Sequence, residues 1–67
     1  MADKPKHYQL EIDPREYITK NHLDFNEGNV IKYITRWRQK NGLEDLLKAQ
    51  NYLNYMIETE KQKSYKD

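Results

Sequence analysis

The feature that most constrains this chain is a small apolar content in a short sequence that contains no cysteine. The chain has 67 residues, of which 36% are hydrophobic and 34% are charged. A core of this size rarely supplies more than about 3–5 kcal/mol of net stability. Neither a disulfide nor a thiolate zinc site can compensate, because both need cysteine. We therefore expect one small domain, residues 1–67, that associates with further copies of itself.

Hydropathy and charge exclude several classes of protein. Uninterrupted aliphatic runs are no longer than two residues, so we expect no membrane span, and the first residues have no apolar stretch typical of a signal peptide. Two histidines are too few for a histidine metal cage, and we expect no metal site. The formal net charge of +1 argues against a general nucleic-acid binder. We expect a cytoplasmic protein.

The beginning of the sequence predicts an extended arm followed by a short helix. Residues 1–12 lack a helical period, and their apolar residues alternate with polar ones towards the end. Asp13 is a suitable helix cap, and Pro14 fits the first helical position. The helix that they open is predicted over about 14–21.

An antiparallel hairpin of two longer helices is predicted to follow, which makes the fold all-α. Asp24 or Asn26 can cap a helix over about 27–40, and Gly42 ends it. The next helix is predicted over about 43–61.

Apolar stripes on the two longer helices predict how they pack. The third helix has two adjoining stripes, a face too wide for one partner helix, so we expect it to pack both within the chain and against a second copy. The predicted tail, 62–67, alternates in charge and is expected to fray. Gly28 is expected to allow a close approach to the second helix. The stripes are Val30, Ile31, Ile34 and Trp37; then Leu43, Leu46, Leu47, Leu53 and Ile57; then Ala49, Tyr52 and Met56.

A row of polar residues follows one face of the second helix, and residues 28–43 contain four basic residues and no acid. Lys32 and Arg36 lie one turn apart and can share one phosphate, the guanidinium as a bidentate donor. A solvated helix face with a favourable dipole interaction is the alternative interpretation. Asp45 and Lys48 on the third helix are compatible with an ordinary surface pair. The row consists of Asn29, Lys32, Tyr33, Arg36 and Lys40.

No catalytic motif is present. The sequence has neither a phosphate-binding loop of the G-x-x-x-x-G-K-[ST] type nor a G-x-G-x-x-G or H-E-x-x-H motif.

Four motifs with specific order and spacing cover most of the chain. They are H-Y at 7–8, D-P-x-x-[YF]-I at 13–18, L-D-F-x-x-G-N-x-I-K-Y-I-x-R at 23–36 and E-D-L-x-K-A-x-x-Y-L at 44–53. In these motifs the chain resembles the SaV-like family of small tailed-phage proteins, which includes an unusual phage nucleotide kinase.

The resemblance implies a helical module that binds a nucleotide or another phosphorylated small molecule. We accordingly expect a homo-oligomeric phage accessory protein in the host cytoplasm that modulates host metabolism or defence. One alternative is a nucleotide kinase-like phosphotransferase, which would need Mg²⁺ and a carboxylate from Asp13 or Asp45. Another is an interaction module that binds a host protein and no small ligand. The predicted site residues are His7, Tyr8, Asn29, Lys32, Tyr33, Arg36 and Lys40, with Asp45, Lys48 and Tyr52 as weaker candidates.

Overall fold

Three α-helices follow one another in the computed structural model, which describes residues 10–66, with side chains described for 10–63. The helices are α1 (Pro14–Lys20), α2 (Phe25–Arg36) and α3 (Leu43–Lys66). The described residues contain no strand, which confirms the all-α fold with a hairpin of α2 and α3. Most of the predicted arm lies outside the described residues. Within the described part of the chain, no helix is long and apolar enough to cross a membrane.

The helix starts follow from local capping. Asp13 caps α1, where its side chain accepts a hydrogen bond from the N–H of Arg15 at 2.8 Å. Asp24 caps α2 in a capping box: its Oδ1 accepts from the N–H of Glu27, and its own N–H donates to Glu27 Oε1, both at 2.9 Å. Because the box fixes the first turn, α2 begins at Phe25, two residues earlier than predicted.

The helix ends differ from their predicted positions more than the helix starts do. α1 ends one residue early, at Lys20, and α2 ends at Arg36 rather than at 40. After Arg36 the chain turns, and the N–H groups of Gln39 and Lys40 both donate to the Arg36 carbonyl. α3 continues to Lys66, five residues beyond the predicted end at 61.

Two turns use a left-handed residue to reverse the chain. His22, at φ 57°, follows α1, and the N–H of Leu23 donates to the carbonyl of Ile18 at 3.0 Å, as in a Schellman motif. Gly42, also at φ 57°, precedes α3. The predicted stop at Gly42 is wrong for α2, which already ends at Arg36; Gly42 instead ends the turn that leads into α3.

Close packing between α1 and α2 depends on Gly28. A Cβ atom at this position would lie 3.2 Å from Cγ2 of Ile18. Gly28 is buried, and it allows the close approach predicted for this position.

The helices form a single layer with α2 in the middle. The principal extents are 54 × 28 × 12 Å, and the radius of gyration is 14.6 Å, against about 11 Å for a compact domain of this length. Ala49, 5% exposed, is the one buried hydrophobic residue among those described. The predicted burial of the α2 stripe is therefore incomplete within one chain, and Ile34 stays exposed.

Gly42 and His22 give a matched test of the turns. Gly42→Ala should lower the free energy of unfolding by about 1 kcal/mol, because a Cβ is strained at this φ although nothing lies within 4 Å of it. His22→Gly should change it in the opposite direction, because glycine relieves the same strain. Urea unfolding followed by circular dichroism, at equal protein concentrations, measures both. A gain in stability in Gly42→Ala would contradict the left-handed conformation assigned to Gly42.

Candidate functional site

A buried carboxylate connects the end of α2 to the start of α3. Asp45, in the first turn of α3, is 0% exposed. Arg36 donates to it from Nε and Nη2, each at 3.2 Å. Asn41 donates from its backbone N–H at 3.1 Å and from Nδ2 at 3.3 Å. These four donors satisfy both carboxylate oxygens.

The hydrogen bonds keep Asp45 ionised. Burial raises the pKa of the Asp45 carboxyl, but the hydrogen bonds from Arg36 and Asn41 outweigh burial, so the pKa lies below its ordinary value. Asp45 therefore neutralises Arg36 from within the hairpin. This is a structural role, whereas the sequence indicated a surface residue, and Lys48 pairs instead with Glu44 at 3.7 Å.

An aromatic cluster joins α2 to α3 further along the hairpin. The rings of Tyr33 and Tyr52 stack with centroids 6.0 Å apart and an interplanar angle of 11°. Tyr52 also meets the ring of Phe25 edge to face at 5.9 Å. Tyr33 and Tyr52 thus pack against each other, and Tyr52 holds the Phe25 ring at the start of α2.

Three cationic groups surround the Tyr33 ring. The distances to its centroid are 5.0 Å for Lys32 Nζ, 4.9 Å for Arg36 Cζ and 5.4 Å for Lys48 Nζ. Such contacts contribute about 0.5–1 kcal/mol each at exposed sites. Arg36 and Lys48 have carboxylate partners, whereas Lys32 has none within 4 Å among the described residues. A bound anion would reduce the repulsion among these three charges.

A groove of about 770 Å³ lies between α1 and α2. Its α2 wall carries a row at i, i+4, i+7 and i+11: Phe25, Asn29, Lys32 and Arg36. Lys40, in the following turn, continues this wall. Lys32 and Arg36 therefore belong to both the groove and the cluster around Tyr33.

The opposite wall of the groove is largely apolar. Asp13 and Asp24, the acids in the lining, both accept hydrogen bonds at helix starts. Asp13 also pairs with Arg15 at 2.7 Å, and the side-chain hydrogen bond from Arg15 holds the pKa of the Asp13 carboxyl below its ordinary value. Four basic residues in the lining outnumber these two acids. The apolar residues of this wall are Leu10, Pro14, Ile18 and Leu23.

The predicted site residues fall into two neighbouring groups. Those in the groove are Asn29, Lys32, Arg36 and Lys40, and those beside it are Tyr33, Lys48 and Tyr52. Asp45 is enclosed in the hairpin, and His7 and Tyr8 lie outside the described residues.

Two residues with a part in the site were missed. Asn41, which supplies two of the donors to Asp45, is not among the predicted site residues. Phe25, 73% exposed in the groove, is not among the predicted site residues either. A signal existed for Phe25, because it lies on the same helical row as Asn29 and Lys32.

A model of the family described as "Protein of unknown function (DUF3310)" matches residues 2–54. The chain belongs to the DUF3310 family. The DUF3310 match includes α1, α2 and α3 as far as Asn54, and hence all the groove residues and the Tyr33 cluster. No curated protein and no solved structure matches the chain.

Asp45→Asn tests the buried ion pair. At neutral pH it should lower Tm clearly, because Arg36 then lacks its buried counter-charge. The pKa of Asp45 is lower in the folded chain than its ordinary value of 3.8, so the stabilising effect is present above that pH. It is lost as the pH falls further, towards the folded pKa, and the two proteins should then converge in Tm.

Thermal unfolding by circular dichroism at a series of pH values between 7 and 2 measures this difference. Asp13→Asn is the control, because it removes an exposed carboxylate that also has an arginine partner. Asp13→Asn should change Tm less than Asp45→Asn at neutral pH. Equal stability of Asp45→Asn and the wild type at pH 7 would refute the structural role of the pair.

Proposed function

We propose that this protein is a helical oligomer that binds a nucleotide, or another phosphorylated small molecule, in the groove between α1 and α2. The observation that carries the proposal is the convergence of Lys32, Arg36 and Lys48 on one tyrosine ring, with Lys32 also lining the groove. A phosphate is the small anion best suited to such a set of donors.

Lys32 is the residue most suited to contact the phosphate. Arg36 uses Nε and Nη2 for Asp45 and is only 30% exposed, so it contributes charge and at most part of its donor set. Lys40 lies one turn beyond Arg36 on the same wall. The cationic part of the groove thus extends from Lys32 towards the hairpin turn.

Phe25 favours a nucleotide over a phosphate without an aromatic group. Its ring is exposed to the groove, and the edge-to-face contact with Tyr52 orients it. Phe25 and Lys32 are seven residues apart, about 10 Å along the helix axis. A base stacked on Phe25 can therefore place its phosphate within reach of the flexible Lys32 side chain.

The resemblance to the SaV-like phage family supports a biological setting for this proposal. In that setting a phage accessory protein binds a host nucleotide or a phosphorylated signal and so modulates host metabolism or defence. Of the two carboxylates considered for a kinase-like reaction, Asp45 is enclosed by Arg36 and Asn41, and Asp13 caps α1 and pairs with Arg15. Binding without phosphate transfer is therefore the function that we favour.

Replacements at the two ends of the groove test the proposal. Lys32→Gln should weaken binding of a nucleoside monophosphate about tenfold, the effect of losing about 1.4 kcal/mol of interaction. Phe25→Leu should weaken binding of the same nucleotide but leave binding of ribose 5-phosphate almost unchanged, because the sugar phosphate has no base to stack. Isothermal titration calorimetry with the four ribonucleoside monophosphates and ribose 5-phosphate measures these effects.

Lys61→Gln is the matched control, because it removes an exposed lysine of α3 that does not line the groove. It should bind as the wild type does. Arg36→Ala is unsuitable as a test, because it would also leave Asp45 buried without its counter-charge. If none of the nucleotides or ribose 5-phosphate binds, the proposed function fails. Transfer of phosphate from ATP to a bound monophosphate would support the kinase-like alternative.

A further inference from the structure

One stripe of α3 is left largely uncovered by the residues that the structure describes. It consists of Leu43, Leu46, Leu47, Gln50, Leu53, Asn54 and Ile57, and we call it the α3 seam. α3 packs on α2 through a different stripe, which includes Asp45, Ala49 and Tyr52. Every seam residue except Leu46 is exposed, and none is charged. An uncharged, mostly leucine stripe of this length is unusual for a surface that faces water.

The spacing of the α3 seam is that of a helix that pairs with another helix. Leu43, Gln50 and Ile57 recur at intervals of seven residues, and Leu46 and Leu53 form the second series of the same heptad. Gln50 is the one polar member of the two series. A single polar residue at such a central position typically fixes the register between two helices.

We propose that the α3 seam pairs with the α3 seam of a second copy, antiparallel, about a two-fold axis at Gln50. The apolar residues of the seam are spaced symmetrically around Gln50. Leu43 and Ile57 each lie seven positions from it, and Leu47 and Leu53 each lie three positions from it. The axis therefore sets Leu43 against Ile57 of the partner subunit. The Gln50 amide both donates and accepts, so it can pair with its own copy in a reciprocal way.

The partner is a second copy of the chain, because the single layer of helices needs a second layer to cover its apolar side. Domains consist of at least two packed layers, whereas this chain forms one layer with a single buried hydrophobic residue among those described. A copy of the same chain is present whenever the chain is. Pairing of two hairpins gives a second layer and a shared core of the kind found in helix bundles.

This inference specifies the oligomer in the proposed function and does not depend on the ligand. On the helical period the α3 seam lies on the side of the hairpin that also carries Ile34. The groove residues Asn29, Lys32 and Arg36 lie on the other side. A dimer formed through the seam therefore leaves both grooves open to solvent.

Sedimentation equilibrium tests the dimer. The wild type should sediment at twice the 8.2 kDa mass of the chain. Leu53→Glu, at the seam, should raise the dimer dissociation constant at least a hundredfold, because it places two like charges in an apolar interface. Tyr55→Glu is the control: Tyr55 is also exposed and on α3, but about 200° around the helix from Leu53, so the dimer should persist.

Single introduced cysteines test which face of α3 pairs and whether the two helices are antiparallel, and this test does not depend on a stable monomer. The chain has no cysteine of its own, so one introduced thiol can form a disulfide only with another copy. Gln50→Cys should oxidise to a covalent dimer. Leu43→Cys should not, because antiparallel pairing places the two thiols about 21 Å apart along the helices. Tyr55→Cys, on the far side, should not either.

The outcomes separate the dimer from the ligand site. A wild-type monomer at 100 μM, or equal dissociation by Leu53→Glu and Tyr55→Glu, would overturn the dimer through the seam. Rapid oxidation of Leu43→Cys would overturn the antiparallel pairing. Lys32→Gln should remain dimeric even if it no longer binds a nucleotide, so failure of one proposal leaves the other measurable.

Discussion

The carboxylate of Asp45 is the interaction on which the rest of the fold depends. It receives hydrogen bonds from Arg36 at the end of α2 and from Asn41 in the turn, and it belongs to the first turn of α3. A single buried charge thus determines where α2 ends and how α3 leaves the turn. In the hairpin that these bonds join, Tyr33 lies opposite Tyr52, and the bonds hold the guanidinium of Arg36 at the border of the groove.

The single layer gives the molecule two sides with different chemistry. One side has the groove and its basic wall, and the other has the apolar residues that α2 leaves uncovered. The formal net charge of +1 hides this division, because acids elsewhere in the chain balance the cations of the groove. The two acids in the groove itself both cap helices, so their charges act largely on the helix starts.

The features that the sequence predicted well are those that depend on near neighbours. The caps at Asp13 and Asp24 involve residues at most three positions apart, and the structure confirms them. The end of α2 was misplaced because it depends on Asp45, nine residues after Arg36. Only the packing of the helices shows that the carboxylate is buried.

The candidate site was predicted in part for the same reason. The helical period alone places Asn29, Lys32 and Arg36 on one face, and this face lines the groove. The opposite wall comes from α1 and from the loop after it, whose position depends on the contact of Ile18 with Gly28. A sequence pattern cannot show that two separate segments enclose a groove, and so the exposed ring of Phe25 was not recognised.

The unequal lengths of α2 and α3 have a consequence for how the chain behaves in dilute solution. α2 has 12 residues and α3 has 24, and the ion pairs described in the last turns of α3, such as Lys61 with Glu58, lie within α3 itself. A segment of this kind is marginal as an isolated helix. Its backbone amides should therefore exchange with solvent sooner than those around Ala49, and the proposed association of copies should raise the helix content of the chain with protein concentration.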